Sequence, residues 1–246
     1  MDDLVLFVAV GFAAQVVDGA LGMAYGVSAT TVLLSFGVMP AVASASVHAA
    51  EVFTTGISAL AHWRLGNVDR RLFRRLVVPG MIGGALGAWL LSSLPGDAMR
   101  PVVSAYLLVI GLVILVKAFR PRRPPPEAPR WIAPLGLAGG CLDAIGGGGW
   151  GPIVTSTLVG EGTAPRFAIG SVNSAEFFVT AVISATFVLT IGLELWPIIA
   201  GLILGGALAA PFAAYLARYI PDRPLMILVA VVVILLSVRS LMQALA

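Results

Sequence analysis

Four acidic residues stand inside stretches of membrane-length hydrophobicity, and they come in two pairs. Asp18 and Asp143 are 125 positions apart, and so are Glu51 and Glu176. The same offset carries Gly22 onto Gly147, Tyr25 onto Trp150, Gly26 onto Gly151, Pro40 onto Pro165 and His48 onto Asn173. Between Gly11 and Thr55 the register runs without a gap, and 16 of 45 aligned pairs are identical. A repeat of this kind in a polytopic membrane protein marks a transporter built from two related halves, with its site where the halves meet.

The chemistry open to these residues follows from their depth. Ionisable groups inside a bilayer are costly and face an interior cavity or a partner. His48, Glu51, Thr55 and Ser58 fall on one face of a helix, and Asn173, Glu176, Thr180 and Ser184 form the corresponding face in the second half. Glu51 and Glu176 can carry protons or donate hydrogen bonds. Alternatively they bond the N–H groups left over where a helix breaks. His48 can join a proton relay or bind substrate. Asp18 and Asp143 either bond backbone N–H groups across a helix break or couple transport to a cation or proton. Tyr25 and Trp150 either gate a cavity or pack.

The breaks themselves are glycine-rich. Leu4–Phe36 is apolar but interrupted over Asp18–Gly26, and Leu135–Val159 is interrupted in the same place over Asp143–Pro152. Gly146, Gly147, Gly148 and Gly149 in succession do not propagate a helix, because glycine loses the most backbone freedom on ordering. Pro152 suits the first turn of a new helix. Each segment therefore reads as two short helices meeting at irregular backbone, with the second starting near Gly26 or Gly151. The free N–H groups and dipole of such an end attract anions without Lys or Arg. The expected substrate site is thus Gly22, Tyr25, Gly26 and His48 with Gly147, Gly148, Gly149, Trp150, Gly151 and Asn173. Thr30, Thr31 and Thr155 add hydroxyl donors.

These residues need a helical membrane frame, and the composition supplies it. Of the 246 residues 59% are hydrophobic and only 11% charged, with a mean hydropathy of +1.00. A soluble domain carries about 25% charge. Spans are predicted over Val42–Trp63, Phe73–Leu94, Pro101–Phe119, Ile169–Ile191, Trp196–Tyr215 and Leu225–Leu245. Gly83-Gly84-Ala85-Leu86 recurs as Gly205-Gly206-Ala207-Leu208, a block expected to pack helices closely. The fold class is an all-α polytopic membrane protein of two inverted repeats, each a broken helix or re-entrant hairpin plus three transmembrane helices. The first repeat is 1–119, a Pro/Arg-rich cytoplasmic linker is 120–133, and the second repeat is 134–246.

Arg64, Arg70, Arg71, Arg74 and Arg75 flank one loop, and Lys117, Arg120, Arg122, Arg123 and Arg130 surround the linker. Both loops are expected in the cytoplasm, with both termini outside. The pI near 9.5 thus reflects topology and gives no reason to expect nucleic acid as a partner. Met1-Asp2-Asp3 lacks the cationic region of a signal peptide, so Leu4 onward is expected to be mature protein. Cys141, as the single cysteine, permits no intrachain disulfide. No HExxH motif, GxGD pair or nucleophile–base spacing is present, so neither an enzyme nor a cofactor is expected.

The broken segment Gly11–Pro40, the run Ser46–Thr55 and their second copies resemble the TauE/SafE family of sulfite and organosulfonate permeases. Gly22-Met23-Ala24-Tyr25-Gly26 is a loose form of that family's glycine motif, and Gly146–Gly149 a closer one. Asn67-Val68-Asp69 and the glycines at 83–87 are also similar. The run Ser46–Glu51 departs from the commoner pattern, in which small residues and Thr stand where this chain has His48 and Glu51. The resemblance implies a bacterial inner-membrane transporter, often an exporter, of small sulfur-containing anions, with the bilayer and a small anion as partners and a homodimer allowed. The competing reading is a divalent cation transporter using Asp18, His48, Glu51, Asp143 and Glu176.

Overall fold

The computed structural model describes residues 2–21, 23–119, 131–192, 196–216 and 222–245. Gly22 and positions 120–130 of the linker lie outside them. The described residues form helices and no strands. The first half contains α1 (Asp2–Leu21), α2 (Tyr25–Ser35), α3 (Pro40–Arg64), α4 (Arg70–Ser93) and α5 (Gly96–Phe119). The second contains α6 (Ile132–Gly146) and α7, which opens as a π turn over Gly151–Thr155 and continues over Ser156–Gly160. It then contains α8 (Pro165–Ile191), α9 (Trp196–Leu216) and α10 (Asp222–Leu245). α6 starts at Ile132, inside the stretch assigned to the linker, because Trp131 can precede a helix that the linker's prolines would break.

Helices α4, α5, α8 and α10 are long and apolar enough to cross a membrane. Their outward faces are lipid-like: Val78, Ile82, Leu86 and Trp89 repeat at helical spacing on α4, all exposed. α3 has 25 residues but is less apolar, since it buries Ser44, Ser46, His48, Glu51 and Thr55 toward the interior. Pro40 and Pro165 stand in the first turns of α3 and α8, where a missing N–H costs nothing. Asp69 caps α4 by accepting from the Arg71 and Leu72 N–H groups at 2.8 and 3.1 Å.

Five pairings organise the bundle: α1 with α9, α4 with α6, α5 with α10, α3 with α8 and α4 with α8. Exchanging the halves maps the first four onto themselves or one another, while α4 with α8 corresponds to the slighter contact of α3 with α9. Glycines make the crossed pairs possible. A Cβ on Gly83 or Gly87 of α4 would overlap the Leu137 or Cys141 carbonyl of α6, and one on Gly205 of α9 would overlap the Val8 carbonyl of α1. The repeated Gly-Gly-Ala-Leu blocks are therefore packing surfaces. The self-paired helices run antiparallel. Along α3 and α8, Gly56 meets Phe177 and Ser58 meets Asn173. Along α5 and α10, Ser104 meets Ser240 and Gly111 meets Ile234.

The broken segments are hairpins. α1 runs parallel to α9, then α2 turns back and ends beside the starts of α3 and α5, where Arg100 donates to the Leu34 carbonyl at 3.0 Å. α6 runs parallel to α4, and α7 returns toward the end of α5, where Lys117 donates to the Pro152 carbonyl at 3.2 Å and to Ser156. The first hairpin opens on the face where α3 begins and the second on the face where α3 ends.

Candidate functional site

The hairpin tips meet in the middle of the bundle. A Cβ on Gly26 would stand 2.8 Å from the Gly148 Cα, and the Thr30 hydroxyl donates to the Gly147 carbonyl. Gly147, Gly148 and Gly149 have φ of +65°, +151° and +154°, so the tip needs glycine for conformation as well as space. The position matching Gly149 is Ala24, which holds φ +100° in the first tip. A side chain there costs on the order of 1–3 kcal/mol.

The two aspartates act alike. Asp18 Oδ1 accepts from the Tyr25 N–H at 3.3 Å, and Asp143 Oδ1 from the Trp150 N–H at 2.9 Å. Each bridges its own helix break. Asp143 has a second partner, His48 Nε2 at 3.1 Å from Oδ2, with both side chains buried. The far ring nitrogen, His48 Nδ1, lies 2.8 Å from the Ser44 carbonyl and 3.2 Å from its hydroxyl. Ser44 in turn donates to the Ala144 carbonyl at 2.6 Å, tying α3 to the end of α6.

A cavity of about 560 Å³ lies on one side of the tips. Tyr25, Gly26, Gly149, Trp150, Gly151 and Thr155 from the hairpins line it, with Asp18, Glu51, Asp143, Asn173 and Glu176. It extends past Ser58 toward His62, Ile169 and Met226, so it opens on the face where α3 ends and α8 begins. No lysine or arginine among the described residues lines it. Trp150 is fully buried and donates from its indole to the Val172 carbonyl at 3.2 Å, which fixes it as a wall.

Several expected site residues stand elsewhere. His48 is off the cavity wall, because its ring is held between Asp143 and Ser44. Thr30, Thr31, Gly147 and Gly148 are also off the wall. The Thr30 hydroxyl serves Gly147, Thr31 donates to the Val27 carbonyl at 2.6 Å, and the two glycines face α2. Gly22 is outside the described residues. The expectation of free N–H groups at the start of α2 is also corrected. The Tyr25 N–H is taken by Asp18, and Glu51 Oε1, arriving from α3, packs against Gly26, 2.9 Å from where a Cβ there would stand. Carboxylates therefore already sit where the substrate anion was expected.

Other lining residues went unassigned in the sequence: Gln15, Thr54 and His62. Gln15 lies one turn before Asp18, and Thr54 one turn after Glu51. That spacing on an apolar helix was the available signal. Three buried polar atoms on the wall have no partner: Gln15 Oε1, Glu51 Oε2 and Thr155 Oγ1. Unpaired polar atoms in a buried wall are costly unless water or a ligand meets them. Among the described residues, no cluster of three His, Cys, Asp or Glu side chains is placed to hold a metal ion.

The model of the family described as "Sulfite exporter TauE/SafE" matches residues 7–240. "Probable membrane transporter protein YtnM" of Bacillus subtilis (strain 168) is 41% identical over 252 aligned residues, which cover 99% of this chain and 84% of that protein. No solved structure matches the chain.

Proposed function

The chain belongs to the sulfite exporter TauE/SafE family and is a membrane transporter, and from that premise we propose that it exports sulfite or a small organosulfonate by alternating access between two inverted halves. The observation that carries this reading is the cavity beside the meeting point of the two hairpins, whose lining runs from the tips past Ser58 to His62, Ile169 and Met226. The halves, 1–119 and 134–246, are inverted copies in this reading. Support comes from the antiparallel pairs α3/α8 and α5/α10 and from the exchange of equivalent contacts between halves.

The face where α3 ends carries Arg64, Arg70, Arg71, Arg74 and Arg75, which supports a cytoplasmic placement with both termini outside. A cavity open to the cytoplasm is where an exported substrate loads. The arginines at the start of α4 raise the local anion concentration near its mouth. Inside, Asp18, Glu51, Asp143 and Glu176 give the wall an acidic character that an anion tolerates only with protons or backbone donors in compensation. Proton coupling is the way this reading meets that requirement at Glu51 and Glu176. The cation-transport alternative lacks a metal-binding cluster among the described residues.

The test is uptake of labelled sulfite and labelled sulfoacetate into proteoliposomes. The expected result is uptake above protein-free vesicles, raised severalfold by an acid-outside pH gradient, since a coupled proton and anion move in whichever direction their combined gradients drive; export then runs on an outward gradient of the anion itself. Absence of uptake for both anions contradicts the proposal.

A further inference from the structure

Of the four cavity carboxylates, Glu51 reaches the start of α2 from α3, outside the first hairpin. Asp18 and Asp143 bond across their own breaks, and Asp143 is further held by His48. Glu176 enters the cavity from α8 and is only partly buried. Glu51 Oε1 lies against Gly26, 2.9 Å from where a Cβ on that residue would stand, while its Oε2 is buried, unpartnered and on the cavity wall. Glu51 as a residue is only 5% exposed. Thr155, 1% exposed, presents a second unpartnered polar atom to the same cavity from the other hairpin. The two halves differ here. The space beside Gly151, the partner of Gly26 in the repeat, is filled by the Met23 side chain, whose Cβ stands 2.9 Å from a Cβ built there.

We propose that the Glu51 carboxylate is a tethered occupant of the substrate anion's place at the α2 N-terminus, and that substrate enters only as Glu51 is protonated and swings aside. The place holds one negative charge at a time. With the cavity empty, Glu51 neutralises the helix end. With an anion bound to the Gly26 N–H and the Thr155 hydroxyl, Glu51 carries a proton, so anion and proton move together. The groups facing Glu51 reinforce the exclusion: Asp18 on α1, Asp143 on α6 and Glu176 on α8 are acidic, Tyr25 on α2 is spent on the Leu202 carbonyl, and His62 lies toward the mouth. This inference rests on the anion-transport reading and adds the residue that couples it.

The experiment compares wild type with Glu51→Gln, which mimics the protonated side chain, using labelled sulfite and labelled sulfoacetate in proteoliposomes. Two assays are run: exchange of internal for external anion at equal pH, and accumulation under an acid-outside gradient of one pH unit. With the membrane potential clamped at zero, one proton per anion predicts wild-type accumulation up to about tenfold for either substrate, and exchange affinity that weakens by up to about tenfold per pH unit where Glu51 is ionised. In Glu51→Gln, exchange becomes independent of that competition and accumulation falls to the equilibrium ratio. Titration of sulfite itself is common to both proteins and cancels in the comparison. Undiminished accumulation in Glu51→Gln overturns the proposal. So does loss of exchange in a variant that remains monodisperse, since Glu51 would then be a binding group. If the variant does not fold, the wild-type exchange profile decides with sulfoacetate, which does not titrate between pH 6 and 9: a flat profile overturns the proposal, and a falling one supports it. A wild-type protein inert in both assays removes the transport reading itself, a separate and recognisable failure.

Discussion

Replacing Asp143 with Ala is expected to cost about 2–5 kcal/mol, because it leaves two buried polar groups without their partner at about 1–3 kcal/mol each. The side chain holds the Trp150 N–H at 2.9 Å and His48 Nε2 at 3.1 Å from two different oxygens. His48 is buried off the cavity wall, whereas Trp150 lines a cavity that water can enter, so the loss at His48 is the costlier of the two. The change should lower the thermal midpoint in detergent and reduce the yield of folded protein. Asp143→Asn, which keeps one oxygen acceptor, should cost less. A double-mutant cycle with His48→Ala should show about 1–3 kcal/mol of coupling. Additive effects would mean that the His48–Asp143 contact contributes nothing.

Gly148→Ala is expected to be as damaging for a different reason. The added methyl would overlap the Val27 N and the Gly26 carbonyl carbon, and would stand 2.8 Å from the Gly26 Cα. These are backbone atoms at the start of α2, which cannot rotate away. The φ of +151° adds backbone strain. Together these give about 3 kcal/mol or more, and transport should fall at least ~100-fold as the tips separate. Gly160→Ala is the control. Nothing lies within 4 Å of a Cβ there, so transport and thermal midpoint should change little.

The elements of this fold were legible because each leaves a local signature. The broken segments announce themselves in Asp143–Pro152 and its fainter copy Asp18–Gly26, and the helix starts at Pro40 and Pro165 follow from proline's missing donor. What the sequence withheld is depth. The repeat shows that Glu51 and Glu176 are counterparts, but not that Glu51 stands level with Gly26 while Met23 fills the space beside Gly151. That difference comes from long-range packing of α3 against the first hairpin. The threonines were more readable than they were taken to be. Thr31 donates to the carbonyl four residues back, the usual habit of threonine in an apolar helix, which removes it from a list of substrate donors. The glycines of α4 and α6 likewise recur at intervals of four, as Gly83 and Gly87 beside Gly136 and Gly140, and that spacing already named the two surfaces that meet.

The opposed insertion of the two hairpins underlies both the cavity and its proposed use, and side-specific thiol labelling tests it most directly. In a background with Cys141→Ser, single substitutions Val5→Cys, Phe36→Cys and Glu161→Cys are treated with a membrane-impermeant maleimide from one side of sealed vesicles, then from the other. Positions 5 and 36 flank the first hairpin and should label from the same side, while 161, at the end of the second, should label only from the opposite side. Labelling of 5 and 36 from opposite sides, or of 36 and 161 from the same side, would contradict the arrangement.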